Sequence, residues 1–166
     1  DDILSAPPEE ISRRRGIAGD LVVFKVAGAS AARGDDLDRV HQLAAHANAR
    51  TRTLGVAFGG CTLPGSGAPL FSMPEGRMAV GLGIHGEPGF EDVDVPTPAG
   101  LADLLVSRLL REVPDEGRSD GLRAVVIVNG LGAFKADEMF VLYQEVRTLL
   151  ESAGVVIADV KVGEFC

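Results

Sequence analysis

Cysteine is scarce in this sequence, which contains two, Cys61 and Cys166. Two cysteines so far apart form neither a disulfide framework nor the spacing of a metal site. The sequence also lacks the charged and apolar regions of a secretory signal. These absences exclude a disulfide-rich secreted domain, favour a reducing cytoplasm, and lead us to expect no metal site in this chain.

Long apolar runs are absent, because none reaches the roughly 18 residues that a membrane-spanning helix needs. An excess of positive charge is absent too, and the formal net charge is −8. A nucleic-acid backbone or an anionic membrane surface would be repelled by this average field. The sequence therefore predicts a protein that binds neither nucleic acid nor membrane.

The chain does contain enough apolar residues for a core, with 46% hydrophobic residues in a length of 166. Asp35-Asp36 and Thr97 are predicted to supply N-caps, and each precedes apolar residues at helical spacing. Proline at position 98 suits the first turn of a helix. These patterns predict one helix as far as about Thr51 and another that ends before Pro114.

The last third of the sequence predicts a β-α-β unit. Residues 122–128 and 155–162 are apolar, strand-like segments, and residues 135–152 between them show helical spacing. Shorter strands are predicted at residues 53–58 and 78–80. The most economical architecture is an α/β fold, a layered sheet flanked by helices, in a single unit over residues 1–166.

Two segments near the start allow alternatives. Residues 21–26 are apolar enough for a buried strand, yet small residues continue to Gly34, so one helix over residues 16–33 is equally possible. The triplet Arg13-Arg14-Arg15 is either an anion site or a solvent-facing, salt-bridged face. We favour the second interpretation because most charge runs only face solvent.

Residues 59–67 form a glycine-rich loop that contains Cys61 and Thr62. It either lines a ligand or is an ordinary long turn. A nucleophilic cysteine needs a base or an electropositive neighbour, and none can be placed from the sequence. We therefore expect Cys61 to be a buried structural thiol.

The most informative stretch is residues 81–89, in which His85 lies among small residues after a strand. Its first six residues match G-x-G-x-x-G, but a dinucleotide site requires a helix to begin at the third glycine. Pro88 and Gly89 favour a turn, and acidic residues follow them, so we reject a dinucleotide site. His85 either acts on a ligand that the glycines admit or fixes the loop through backbone hydrogen bonds.

Two motifs, Cys61-Thr62-Leu63-Pro64-Gly65 and Gly83-Ile84-His85-Gly86-Glu87-Pro88-Gly89, resemble the substrate-binding subunit or domain of dihydroxyacetone kinases. Residues 14–19 and 128–132 also resemble segments of that family, so the resemblance covers nearly the whole chain. It implies the second lobe of the ketose-binding domain, with a helix at residues 16–33. An upstream lobe and a C-terminal continuation are expected outside these residues.

The resemblance implies a role for each motif residue. The histidine that matches His85 bonds covalently to the carbonyl carbon of the ketose, giving a hemiaminal. Gly83, Gly86 and Glu87 would line the substrate, and Glu87 or a backbone carbonyl would orient the other ring nitrogen. The loop residues Cys61 and Thr62 are further substrate-binding candidates. The acid/base histidine and aspartate of the family are expected upstream of this chain.

A phosphoryl donor site is not recognisable, because no G-x-x-x-x-G-K-[ST] motif occurs. The resemblance implies that ATP, or ADP, with Mg²⁺ is carried by a separate helical kinase domain or subunit, and that this chain holds no cofactor. It also implies a homodimer and a role in glycerol metabolism.

Two alternatives to a dihydroxyacetone kinase stay open. An erythrulose kinase of the same family would use the same chemistry on a ketose that is one carbon longer. A non-catalytic coactivator or sensor would bind the ketose without transferring phosphate. Retention of His85 argues against complete loss of function.

Overall fold

The computed structural model describes residues 2–81, 83, 89–113, 121–132 and 134–165. A short 3-10 helix spans Pro8–Arg13. The helices and strands that follow are α1 (Asp20–Ala32), α2 (Leu37–Arg50), β1 (Val56–Ala57), β2 (Arg77–Val80), β3 (Glu91–Asp94), α3 (Pro98–Arg111), β4 (Arg123–Asn129), α4 (Ala136–Ser152) and β5 (Val156–Gly163).

The strands form two small sheets. In the first, β2 lies between β1 and β3 and is antiparallel to both. In the second, β4 and β5 are parallel, and α4 connects them. The predicted β-α-β unit and the α/β class with helices beside open sheets are thereby confirmed.

The core is one cluster of buried residues that includes members of β2, α3 and α4. Met78 and Val80 on β2 are fully buried, and so is Ala102 on α3. The buried residues of α4 recur every three or four positions, as expected for a helix with one apolar face: Met139, Leu142, Val146 and Leu150. This packing fixes β2, the strand that leads into the glycine motif.

The capping predictions hold at both helices. The Asp36 carboxylate accepts a hydrogen bond from the Arg39 amide at 2.8 Å, and the Thr97 hydroxyl accepts one from the Gly100 amide at 3.2 Å. Each such cap contributes about 1 kcal/mol. The segment at residues 16–33, which allowed a strand or a helix, forms α1 and packs against α2.

Two features differ from the predictions. The strand expected at residues 53–58 is reduced to β1, with one isolated bridge between Thr53 and Asp2. The strand β3 was not predicted, because its sequence Glu-Asp-Val-Asp has low intrinsic strand preference. Pairing with β2 overrides that preference, and the Arg77 guanidinium bonds the Asp94 carboxylate across the strands at 2.7 Å.

None of the helices in the described part of the chain is long and apolar enough to cross a bilayer.

Candidate functional site

The glycine motif of residues 81–89 connects β2 to β3. Val80 at the end of β2 pairs with Glu91 at the start of β3, and the Phe90 amide donates to the Val80 carbonyl at 2.7 Å. Both ends of the motif are therefore held by one sheet. A strand follows the motif, where a dinucleotide-binding loop would be followed by a helix.

His85, Gly86 and Glu87 lie outside the described residues. Gly83 is described, and it is buried. The geometry of the site is therefore defined by the residues that anchor the motif on either side.

Gly81 marks the point where the chain leaves the sheet. Its φ is +79°, a backbone conformation that favours glycine, and its amide donates to the Gly55 carbonyl at 2.8 Å. A Cβ at this position would lie 3.1 Å from Leu4 and 3.3 Å from Phe90. Backbone geometry and close packing thus both require glycine here.

Arg15 holds the other side of this junction. Its Nη2 donates to the Gly81 carbonyl at 3.0 Å, and its Nε lies 3.5 Å from Oδ2 of Asp2. The backbone of Arg15 is fixed as well, because its carbonyl accepts from the Asp2 amide at 2.7 Å and its amide donates to the Ser5 hydroxyl at 3.1 Å. One guanidinium therefore links the N-terminal segment to the start of the motif.

Asp2 is a fully buried acidic residue beside this junction. Burial raises the pKa of its carboxyl, although a hydrogen bond from the Leu4 amide and the charge of Arg15 both act to lower that pKa. The nearby guanidinium compensates part of the cost of burying this carboxylate.

The three consecutive arginines occupy different environments, which corrects the expectation of a solvent-facing face. Arg13 is exposed and pairs with Glu10, as expected. The Arg14 side chain is fully buried, and its Nε donates to the Ala6 carbonyl at 2.7 Å. Because the second and third arginines bond backbone carbonyls and carboxylates inside the fold, they are structural clamps.

A cavity of about 480 Å³ lies beside the two described ends of the motif. It is lined by residues 3–7, Arg15, Gly81, Gly89 and Phe90. Small-molecule sites in proteins occupy about 300–1,000 Å³ and are mostly apolar with a few polar groups. Apolar side chains together with the guanidinium of Arg15 match that description.

A second, larger cavity of about 680 Å³ contains two of the predicted site residues, Gly83 and Cys61, in its lining. Thr62 is exposed. Among the described residues, Gly83 belongs to the lining of the larger cavity and Gly81 and Gly89 to that of the smaller one. The described part of the motif thus borders both cavities.

The prediction of a buried thiol at Cys61 is wrong, because Cys61 is exposed. The Leu70 amide donates to the Cys61 carbonyl at 2.9 Å, which closes the loop through its backbone. Gly60 lies directly against the backbone of Phe71. These backbone contacts hold the loop in a position in which the Cys61 side chain is exposed.

Over the described residues, no group of three or more histidine, cysteine, aspartate or glutamate side chains is arranged to hold a metal ion.

Sequence reasoning missed the contributions of Asp2 and Arg15 to this site. Only a charged residue at each position was visible, because their partners Gly81 and Thr53 are distant in the sequence.

A family model, the Dak1 domain, matches residues 1–166. Over 165 residues the chain is 54% identical to the L-erythrulose kinase of Pectobacterium atrosepticum, covering 99% of this chain and 28% of that protein. It is 41% identical over 165 residues to the dihydroxyacetone-binding subunit DhaK of the PTS-dependent dihydroxyacetone kinase 2 of Listeria innocua, covering 99% and 48%. The chain therefore spans less than half the length of these relatives.

Two solved structures share the fold. The dihydroxyacetone kinase operon co-activator Dha-DhaQ superimposes with a TM-score of 0.84 at 31% identity, covering 92% of this chain and 46% of that one. The dihydroxyacetone kinase from C. freundii, in complex with AMP-PNP and Mg²⁺, gives a TM-score of 0.78 at 35% identity, covering 92% and 27%.

Proposed function

The chain belongs to the Dak1 domain family, and on that premise we propose that it is the ketose-binding part of a kinase that phosphorylates a short-chain ketose. The observation that carries this proposal is the family match over residues 1–166. The relatives of this chain include an L-erythrulose kinase and the dihydroxyacetone-binding subunit of a dihydroxyacetone kinase. The anchored motif beside a cavity large enough for a small ketose is consistent with that role.

We propose His85 as the residue that holds the ketose. One ring nitrogen adds to the carbonyl carbon, and the π electrons of the carbonyl move to its oxygen, which takes up a proton. The other ring nitrogen releases a proton, so the product is a neutral hemiaminal. A polyol such as glycerol has no carbonyl and forms no such bond, so the step also selects the substrate.

The glycines of the motif would let the ketose approach the backbone closely. In this proposal Gly83, Gly86 and Glu87 surround the bound ketose, and Glu87 or a backbone carbonyl orients the second ring nitrogen of His85. Gly81 and Gly89 support the ends of the motif at the smaller cavity. Cys61 and Thr62 are proposed contacts from the neighbouring loop.

The phosphoryl group must come from a nucleotide-bearing partner. The C. freundii kinase has been solved in complex with AMP-PNP and Mg²⁺. We propose that ATP, or ADP, with Mg²⁺ is likewise carried by a separate domain or subunit that docks beside the ketose. A homodimer of the ketose-binding part is also proposed.

The identity of the ketose is the finer part of this proposal. Sequence reasoning placed dihydroxyacetone first and erythrulose second. The identity is 54% to the L-erythrulose kinase and 41% to the dihydroxyacetone-binding subunit, which favours the four-carbon ketose. We therefore expect the complete enzyme to phosphorylate erythrulose faster than dihydroxyacetone at equal concentrations, and a clear preference for dihydroxyacetone would reverse this assignment.

A non-catalytic co-activator is the second candidate, favoured by the TM-score of 0.84 with Dha-DhaQ. Such a protein would bind the ketose but transfer no phosphate. ATP consumption by the complete protein with its nucleotide-bearing partner, measured with either ketose, distinguishes the two. Ketose binding without any turnover would support the co-activator.

The covalent step is tested by intact-protein mass spectrometry after incubation with erythrulose or dihydroxyacetone. We expect a mass increase equal to one ketose, which His85→Ala abolishes. His41→Ala is the matched control, because His41 is an exposed histidine on α2 and should leave the adduct unchanged. An adduct that survives His85→Ala would place the covalent bond on another residue.

A further inference from the structure

Arg15 has no assigned part in ketose binding, and its contacts suggest one. We infer that Arg15 is a positioning residue for the ketose site, because its guanidinium fixes the carbonyl of Gly81 and thereby the direction in which the chain leaves β2 toward His85. This inference rests on the proposed function. It gives Arg15 an indirect role, exercised through the backbone of Gly81.

The first support is the geometry of Gly81. Its φ is +79°, and its amide donates to the Gly55 carbonyl. Nη2 of Arg15 donates to the Gly81 carbonyl at 3.0 Å. With the amide and the carbonyl both bonded, the φ and ψ angles of Gly81 are restrained at the start of the motif.

The second support is that Arg15 is itself held in place. Its backbone bonds to Asp2 and to the Ser5 hydroxyl, and its Nε faces the Asp2 carboxylate at 3.5 Å. The Asp2 side chain is fully buried, so this contact is little screened by solvent. The backbone hydrogen bonds of Arg15 and the charge of Asp2 thus both restrain the guanidinium that bonds the Gly81 carbonyl.

The third support is the location of the side chain. Arg15 lines the 480 Å³ cavity together with Gly81 and Gly89, the two described glycines that flank the motif. The Arg15 side chain is 31% exposed, so its pair with Asp2 is not enclosed in the interior. The same residue therefore borders the cavity beside the motif and bonds the backbone at the start of the motif.

Arginine is required for this role by its shape. A planar guanidinium presents several N–H donors in a fixed fork, so one edge can face Asp2 while Nη2 bonds Gly81. A lysine ammonium keeps the charge but is a single point, and it cannot reproduce both contacts with the same geometry. Comparing Arg15→Lys with Arg15→Gln therefore separates the effect of the positive charge from that of the guanidinium geometry.

The expected effect is on the chemistry at His85, which lies four residues after Gly81 in the sequence. A displacement of about 1 Å at a reacting group can cost about 100-fold in rate. We expect Arg15→Gln to slow ketose adduct formation and to lower kcat/KM for the ketose by about 10- to 100-fold. Arg15→Lys should give a smaller loss, and KM for the nucleotide should not change in either variant.

The experiment uses the complete enzyme with its nucleotide-bearing domain or subunit. The rate of the ketose mass adduct, the steady-state constants for ketose and ATP, and the thermal midpoint are measured for wild type, Arg15→Gln and Arg15→Lys. Arg13→Gln is the matched control. Arg13 lies two residues before Arg15 and its side chain is exposed, so this variant removes the same charge without touching the contacts of Arg15. Rates are compared well below the lowest midpoint, so that only folded protein contributes.

Slower adduct formation in both Arg15 variants, with wild-type rates in Arg13→Gln, supports the inference. Wild-type adduct rates in folded Arg15→Gln overturn it, even when the midpoint falls, because the arginine then only stabilises the fold. Where Arg15→Gln does not fold, the rate in Arg15→Lys decides in the same way. Absence of ketose phosphorylation and adduct in the wild type instead overturns the proposed function.

Discussion

Arg14 and Glu112 lie 98 residues apart in the chain, and their side chains form an ion pair with 2.8 Å between Nη1 and Oε2. The Arg14 side chain is fully buried, and that of Glu112 is only 20% exposed. The pair joins the N-terminal segment to the residue that follows α3. It therefore holds the segment that carries Arg15 against the helical part of the core.

Replacing Glu112 by Gln should destabilise the protein substantially. Glu112 also interacts with Arg52, whose pKa is lowered by burial and by the nearby charge of Arg14, so the variant leaves two guanidinium groups close together without this carboxylate. A hydrogen bond to a charged group contributes about 1.5–3 kcal/mol, and we expect a loss within this range. Urea unfolding measures it, with exposed Glu75→Gln as control; equal effects in the two variants would contradict the prediction.

Gly81→Ala should be destabilising for two reasons that act together. An alanine at φ +79° is strained by about 1–2 kcal/mol, and its Cβ would press on Leu4 and Phe90. We expect a loss of about 2 kcal/mol in unfolding free energy. Gly67→Ala is the control, because a Cβ there meets nothing within 4 Å. A neutral Gly81→Ala would show that this junction tolerates another backbone conformation.

The sequence was sufficient for elements whose causes are local. Asp36 and Thr97 were recognisable as caps because a capping side chain bonds an amide three residues away. The β-α-β unit was recognisable because apolar residues on α4 repeat every three or four positions, and the flanking strands are rich in valine and isoleucine. Each of these patterns lies within a single short segment.

The remaining features depend on partners distant in the sequence. The strand β3 exists because β2 supplies its hydrogen bonds, and the role inferred for Arg15 depends on its bond to Gly81, 66 residues later. For the candidate site, the sequence could identify the motif around His85 but not the residues that anchor it.

Gly60→Ala should disturb the loop that carries Cys61. A Cβ at residue 60 would lie 2.3 Å from the carbonyl oxygen of Phe71 and 2.7 Å from its amide nitrogen, so the backbone itself must move. We expect a loss of about 1–3 kcal/mol and a changed rate of Cys61 alkylation in a Cys166→Ser background. Gly59→Ala is the neighbouring control, because a Cβ there meets nothing within 4 Å. Similar alkylation rates in both variants would contradict the prediction and would mean that the backbone at Gly60 moves away from Phe71 easily.

Asp2 should make stability depend on pH in a direction opposite to that of an ordinary ion-paired carboxylate. Burial raises its folded-state pKa above the unfolded value of 3.8, so the folded state binds the proton more tightly. Its contribution to the unfolding free energy is then full below pH 3.8 and is lost as the pH rises through the raised pKa.

Comparison with Asp2→Asn isolates this contribution, because asparagine has nearly the same shape and does not titrate. Unfolding free energies from urea titrations between pH 7 and about pH 3 should show wild type gaining stability relative to Asp2→Asn as the pH falls. The difference should level off below pH 3.8, where the carboxyl is protonated in both states. A wild type that instead loses stability relative to the variant on acidification would mean that the attraction of Arg15 outweighs burial and that the folded-state pKa of Asp2 is depressed.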